Sequence, residues 1–127
     1  MKFLVIAILL FATSAFAGSA SLSWTAPFDD SGLSKYDGRY STVKPDTTVA
    51  ASKDAWWLAA TVIGTMPTPG ATGASQTVTV TPLAGGTYYF VVRSRDNFGN
   101  WSDWSNVATK AVVDTVGPIK VKNLIAR

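Results

Sequence analysis

Residues 83–106 read LAGGTYYFVVRSRDNFGNWSDWSN, and this stretch decides the fold. Its centre, Tyr88-Tyr89-Phe90-Val91-Val92, is built from aromatic and β-branched residues, the types that fit a pleated, half-buried surface. Arg93 and Arg95 follow at alternate positions and do not belong in a core. A period of two therefore turns Tyr88, Phe90 and Val92 inward and sets Tyr89 and Val91 on the outer face with the arginines. A turn follows, and Trp101-Ser102-Asp103-Trp104-Ser105 begins the next strand.

Working outward, the same alternation recurs. Leu22 and Trp24 share the inner face of a strand over residues 21–25 that stops at Pro27. Asp29-Asp30-Ser31-Gly32 is turn chemistry. Tyr36 and Tyr40 face inward on a second strand, with Asp37 and Arg39 outward. Residues 54–60 suit a helical turn leading into a strand at 61–63, and residues 66–73 are a loop by composition. Val78 and Val80 alternate with threonines on a further strand, and residues 107–113 make the last. Short alternating strands separated by turns predict an all-β two-sheet sandwich, its sheets about 10 Å apart.

The N-terminus reads differently. Lys2, an apolar run over residues 3–11 and the ending Ala15-Phe16-Ala17 predict a secretory signal peptide at 1–17. The run is short of the roughly 20 apolar residues that span a bilayer. The expected organisation is thus a leader at 1–17, one domain at 18–113 and a tail at 114–127. Within 18–113 seven Lys and Arg balance seven Asp, so the body offers no electrostatic footprint for a phosphate backbone, and nucleic acid is an unexpected partner.

The chain has no His and no Cys, and all eight acidic residues are Asp. The usual general bases, thiol nucleophiles and soft metal ligands are missing, which predicts a protein that is not an enzyme and carries no cofactor. Asp29 and Asp30 offer a calcium ion few of the six to eight oxygens it takes, so a solvated turn is the expectation there. Trp56 and Trp57 are adjacent and, in an extended strand, point to opposite faces. One of them exposed beside Tyr89 would form a flat aromatic platform for a sugar ring or a protein partner; the alternative is that both are buried under the long loop. Asn100-Trp101-Ser102 is an N-glycosylation sequon.

Leu22-Ser23-Trp24, the strand at residues 36–40 and the segment from Leu83 to Tyr88 together resemble a fibronectin type III domain over residues 21–113. The resemblance implies an immunoglobulin-like sandwich with a tyrosine corner, in which the Tyr88 hydroxyl bonds back to nearby backbone, and a core containing Leu22, Trp24, Tyr36, Leu83, Tyr88 and Phe90. The chain departs from the family pattern at Gly85, where proline is usual, at Gly38, where a β-branched residue is usual, and in a Leu83–Tyr88 spacing one residue short. Trp101-Ser102-Asp103-Trp104-Ser105 also matches the W-S-x-W-S signature of class I cytokine receptors. That likeness implies a ladder in which Trp101 and Trp104 stack between Arg39, Arg93 and Arg95, each contact contributing roughly 0.5–1 kcal/mol. The paired cysteines, second domain and membrane span of such receptors are not found in this sequence, so the ladder is expected to be structural.

The tail, with Ile119 and Val121 alternating with Lys120 and Lys122 and followed by Leu124, resembles the linker and first strand of a following fibronectin domain. The domain itself has only residues 18–21 ahead of Leu22, too few for a first strand of its own. Four outcomes follow: a chain that leads a tandem array, a tail that completes its own sheet, a tail that completes the sheet of another copy, or a disordered tail. The functional expectation is a secreted or cell-surface module with a structural, adhesive or protein-binding role. Its alternative is a carbohydrate-binding accessory module using Trp56, Trp57 and Tyr89.

Overall fold

Three inward apolar side chains at alternate positions, Ala20, Leu22 and Trp24, carry the first strand, and polar Ser19, Ser21, Ser23 and Thr25 are exposed between them. A computed structural model describes residues 18–115 and 117–127 of the chain. The leader expected at 1–17 lies outside the described residues. Strand β1 (Gly18–Thr25) is followed by β2 (Leu33–Ser41), helix α1 (Ala50–Ala59), β3 (Thr61–Val62), β4 (Ser75–Leu83), β5 (Gly86–Asp96) and β6 (Ala108–Val112). They form two antiparallel sheets, one of β1 and β4 and the other in the order β3-β2-β5-β6. The sheets pack face to face as an all-β sandwich.

The parity expected from the sequence holds in the register. Leu22 pairs with Val78 and Ala20 with Val80, while Tyr40 pairs with Phe90 on the opposing sheet. Ala20, Val78, Val80, Leu83, Tyr88, Phe90, Ile63 and Val112 form one buried cluster, with Leu22, Trp24 and Tyr40 packed against it. Tyr88 lies between Leu83 and Phe90 in this core and donates its hydroxyl to the Ala84 carbonyl at 3.0 Å, the backbone return expected of the corner. Tyr36 is buried edge-on against Trp24, ring centroids 5.1 Å apart, and its hydroxyl donates to Gln76 Oε1 at 3.1 Å. Gln76 Oε1 also accepts from the Gly70 amide, so one buried amide ties β2, β4 and the loop ahead of β4 together.

Gly38 is buried, and the volume a side chain would fill there is taken by Met66 and Ile63 from the segment after α1: a Cβ at Gly38 would lie 2.8 Å from Met66 Sδ. A long side chain from a loop thus replaces the branched residue expected on the strand.

Helix α1 corrects one expectation. The segment makes ten helical residues, more than a single turn, favoured by Ala50, Ala51, Ala55 and Ala59. Adjacent residues on a helix are about 100° apart and not opposed as in a strand. Trp56 and Trp57 therefore both turn to the sheet and are buried, at 7% and 8% exposure. Trp56 Nε1 donates to the Val43 carbonyl at 2.6 Å, pinning the helix to the segment before it. The helix covers the outer face of the four-stranded sheet, where Val91 is fully buried at 0% exposure beneath it.

The last strand is shorter than expected, and β6 begins only at Ala108. Ahead of it the edge of β5 is occupied by serines: the Ser105 hydroxyl accepts from the Val92 amide and the Ser102 hydroxyl from the Ser94 amide, both at 2.9 Å. The Ser105 and Ser102 amides donate back to the carbonyls of the same two residues. After β6, residues 117–127 contain no strand, which corrects the outcome in which the tail completes its own sheet.

Candidate functional site

The outer face of β2 and β5 carries a stack of cations and rings. Arg39, outward on β2, lies over Trp57 at 4.6 Å, and Arg93, outward on β5, over the same ring at 5.2 Å. Arg93 also approaches Trp101 at 5.4 Å, and Arg95 and Lys35 approach that ring at 5.8 and 5.3 Å. Arg39 is held in place by both oxygens of Asp37 and by the Trp57 carbonyl, to which its Nη1 donates at 2.9 Å. The Arg93 Nε donates to the Ser102 carbonyl.

The expected ladder therefore exists with one member exchanged. Trp104 meets no arginine ring-on; it packs against Trp56 and Trp57, at 5.4 and 5.9 Å, beneath Lys53 at 4.8 Å. Trp57 takes the ladder position expected of Trp104. Lys35 and Lys53 were not singled out from the sequence; their outward parity on β2 and the first turns of α1 were the signals that bore on them. Asp103 joins Lys53 at 3.4 Å, and its carboxyl is held below the usual range by the Trp104 amide and then by Lys53.

The exposed aromatic platform does not form. Trp56 and Trp57 are buried, and Tyr89 packs half-buried against the same cluster. Asp29 directs its carboxylate to the Ser31 amide and hydroxyl, closing a turn. Among the described residues no three Asp side chains group as metal ligands do. Asn100 of the sequon is exposed, and its side-chain amide donates to Asp96. Among the described residues no helix is long and apolar enough to cross a membrane.

What the sandwich leaves open is the flank between its sheets. Strand β1 pairs with β4 along one edge and, among the described residues, with no strand along the other. A groove of about 510 Å³ runs beside that free edge, with Leu22, Trp24, Tyr36 and Phe90 at its base and residues 102–106 as its far wall. Five consecutive residues, 21–25, line it. A single strand face presents only alternate residues, so it is the edge of β1 that faces the groove. A second cavity of about 330 Å³, between residues 19–22 and the start of β6, continues it toward Gly18. At the groove the buried Trp24 Nε1 has no hydrogen-bond partner.

At the Thr25 end of this groove, two loops are joined. Asn97 donates its amide to the Gly32 carbonyl and its side chain to the Ser31 carbonyl. These loops present Phe28 and Phe98 to solvent, 73% and 81% exposed. The molecule thus offers an apolar flank beside a strand edge that no other described strand pairs. Compared with protein-family models, with curated proteins and with solved structures, the chain has no significant match.

Proposed function

We propose that this chain is a secreted, non-enzymatic module of the fibronectin type III kind, with a structural or adhesive role exercised by binding protein at its surface. One observation carries the reading: the apolar groove beside the unpaired edge of β1, about 510 Å³ in volume. An exposed strand edge binds extended polypeptide through main-chain hydrogen bonds, with side-chain pockets adding selectivity. Its chemistry suits a protein partner, since the groove base is apolar and aromatic, and the wall carries serines and Asp103. The fibronectin type III likeness rests on the corner hydroxyl of Tyr88, the Trp24–Tyr36 contact across the sheets and the cation–ring stack above β5.

The carbohydrate-binding alternative loses the observation that would favour it, because Trp56 and Trp57 are covered. The test has two parts. Immunolocalisation is expected to find the chain outside the cell or on its surface, and a glycan array is expected to stay silent. Retention in the cytoplasm would overturn the secreted reading, and saturable glycan binding would restore the alternative.

A further inference from the structure

We propose that the groove beside β1 receives the C-terminal segment of a second copy of this chain, joining molecules head to tail. This rests on the reading of the chain as a protein-binding module and names its partner. Two complementary incomplete parts occur on one molecule. The first is the two-stranded sheet, whose β1 edge is paired by no other described residue along an apolar groove. The second is the tail, where Ile119, Val121, Leu124 and Ile125 are 86%, 80%, 88% and 71% exposed and unsupported by any strand.

The tail has the pattern an added strand needs. Ile119 and Val121 share one face, with Lys120 and Lys122 on the other, which matches a groove on one side and water on the other. Asn123 stands at φ 61°, in the left-handed region. A residue in that conformation is the seat of one kind of β-bulge, and one extra residue there returns Leu124 to the face of Ile119 and Val121. The eleven residues 117–127, at about 3.3 Å each, exceed the length of the eight-residue β1.

Geometry makes the contact intermolecular. Every strand pairing among the described sheets is antiparallel. A strand added antiparallel to β1 enters at Thr25 and runs toward Gly18. The tail, however, leaves β6 at the Gly18 end, where a side chain on Gly18 would collide with Val112. To enter its own groove antiparallel, the tail would first travel the seven steps of β1, roughly 23 Å, and then turn. The seven steps from Val112 to Ile119 reach roughly 23–25 Å fully stretched, too little to cover that distance and also make the turn. A neighbour stacked end to end presents its Thr25 end, with Phe28 and Phe98, to the departing tail. The donor and acceptor surfaces differ, so a single such contact is heterologous and leaves one tail and one groove open to further copies.

The test is the solution mass of the chain from Gly18 to Arg127, by light scattering over a concentration series, beside Val121→Asp. Val121 is exposed, so the variant folds as the parent does, which circular dichroism checks. The parent is expected to grow in steps of whole chains with concentration, and Val121→Asp to stay monomeric. A labelled peptide of residues 117–127 is then expected to bind the Val121→Asp chain saturably, and the same peptide carrying the aspartate to bind at least tenfold more weakly. A parent that is monomeric throughout, oligomers that ignore Val121→Asp, or a peptide without saturable binding overturns the proposal. A surface-located monomer would sink this assembly and leave the proposed function standing, whereas an assembling chain retained in the cytoplasm would do the reverse.

Discussion

Arg39 holds Trp57 at two points: its guanidinium lies 4.6 Å from the ring centroid, and its Nη1 donates to the Trp57 carbonyl at 2.9 Å. The ring is gripped from above by a side chain of β2, and the helix that bears it is gripped through its backbone. Through this pair, α1 becomes part of the sandwich, and the outer face of the sheet becomes a second small core of Trp56, Trp57, Ala60 and Val91.

That arrangement ranks the tryptophans. Trp57→Ala is expected to cost about 3–5 kcal/mol, as for a buried aromatic truncated to a cavity. Trp101→Ala, at the end of the stack and 38% exposed, is expected to cost about 1.5–3 kcal/mol, from three cation–ring contacts of roughly 0.5–1 kcal/mol each. Denaturant unfolding of both variants checks the order. Equal losses would mean that the stack, and not the helix beneath it, sets the stability of this face.

Gln76 predicts non-additivity. Gln76→Leu strands the Tyr36 hydroxyl and the Gly70 amide without their acceptor, each costing about 1–3 kcal/mol. Tyr36→Phe removes the hydroxyl together with its need and is expected to cost about 0.5–1.5 kcal/mol. In the double variant the loss is expected to fall short of the sum, because one stranded group has gone. Full additivity in a thermal-unfolding cycle would show that the two groups do not share the bond.

Gly38 predicts a rescue. Gly38→Val drives a side chain into Met66 and Ile63, an overpacking expected to cost about 1–3 kcal/mol. Combined with Met66→Ala, the valine is expected to occupy the vacated space and recover most of the loss. A pair no better than the worse single variant would place the strain in the backbone of β2.

Asp96 predicts an acid-sensitive turn. Its carboxyl is held below its ordinary value of 3.8, first by the Asn100 side chain, then by the Asn100 amide, and with smaller contributions from the Phe98 and Gly99 amides. The folded-state value is the lower one, so this support is fully present above the ordinary carboxylate range and is lost as pH falls through the depressed value. The amide resonance of Asn100 is expected to shift with a midpoint below 3.8, and in Asp96→Asn that titration disappears. A midpoint at or above the ordinary value would mean that the turn opens in solution.

The strand pattern was legible because a period of two is local. Arg93 and Arg95 alone set the parity of β5, and through it the burial of Tyr88 and Phe90, whichever partners those side chains meet. The turn at Asp29 and the loop over residues 66–73 were read on the same local grounds. The platform at Trp56 and Trp57 failed because facing depends on helix against strand, and an alanine-rich segment carrying bulky rings supports either until a surface receives it. Once α1 lies on β5, both rings turn down and Val91 is sealed.

Which tryptophan stacks on Arg39 was beyond local reading, since Trp57 and Trp104 have the same chemistry. Ser102 and Ser105 decide it by taking the amides of Ser94 and Val92, which fixes where the Trp104 ring falls relative to the helix. The residues by themselves determined the strands, their inner faces and an apolar alternating tail. Only the tertiary structure decided that no other described strand covers the second edge of β1 and that a groove lies along it. It also set the tail at the opposite end from that groove's entrance. An edge is open or covered according to what other parts of the chain, or another chain, are close enough to pair with it, and no run of neighbouring residues carries that distance.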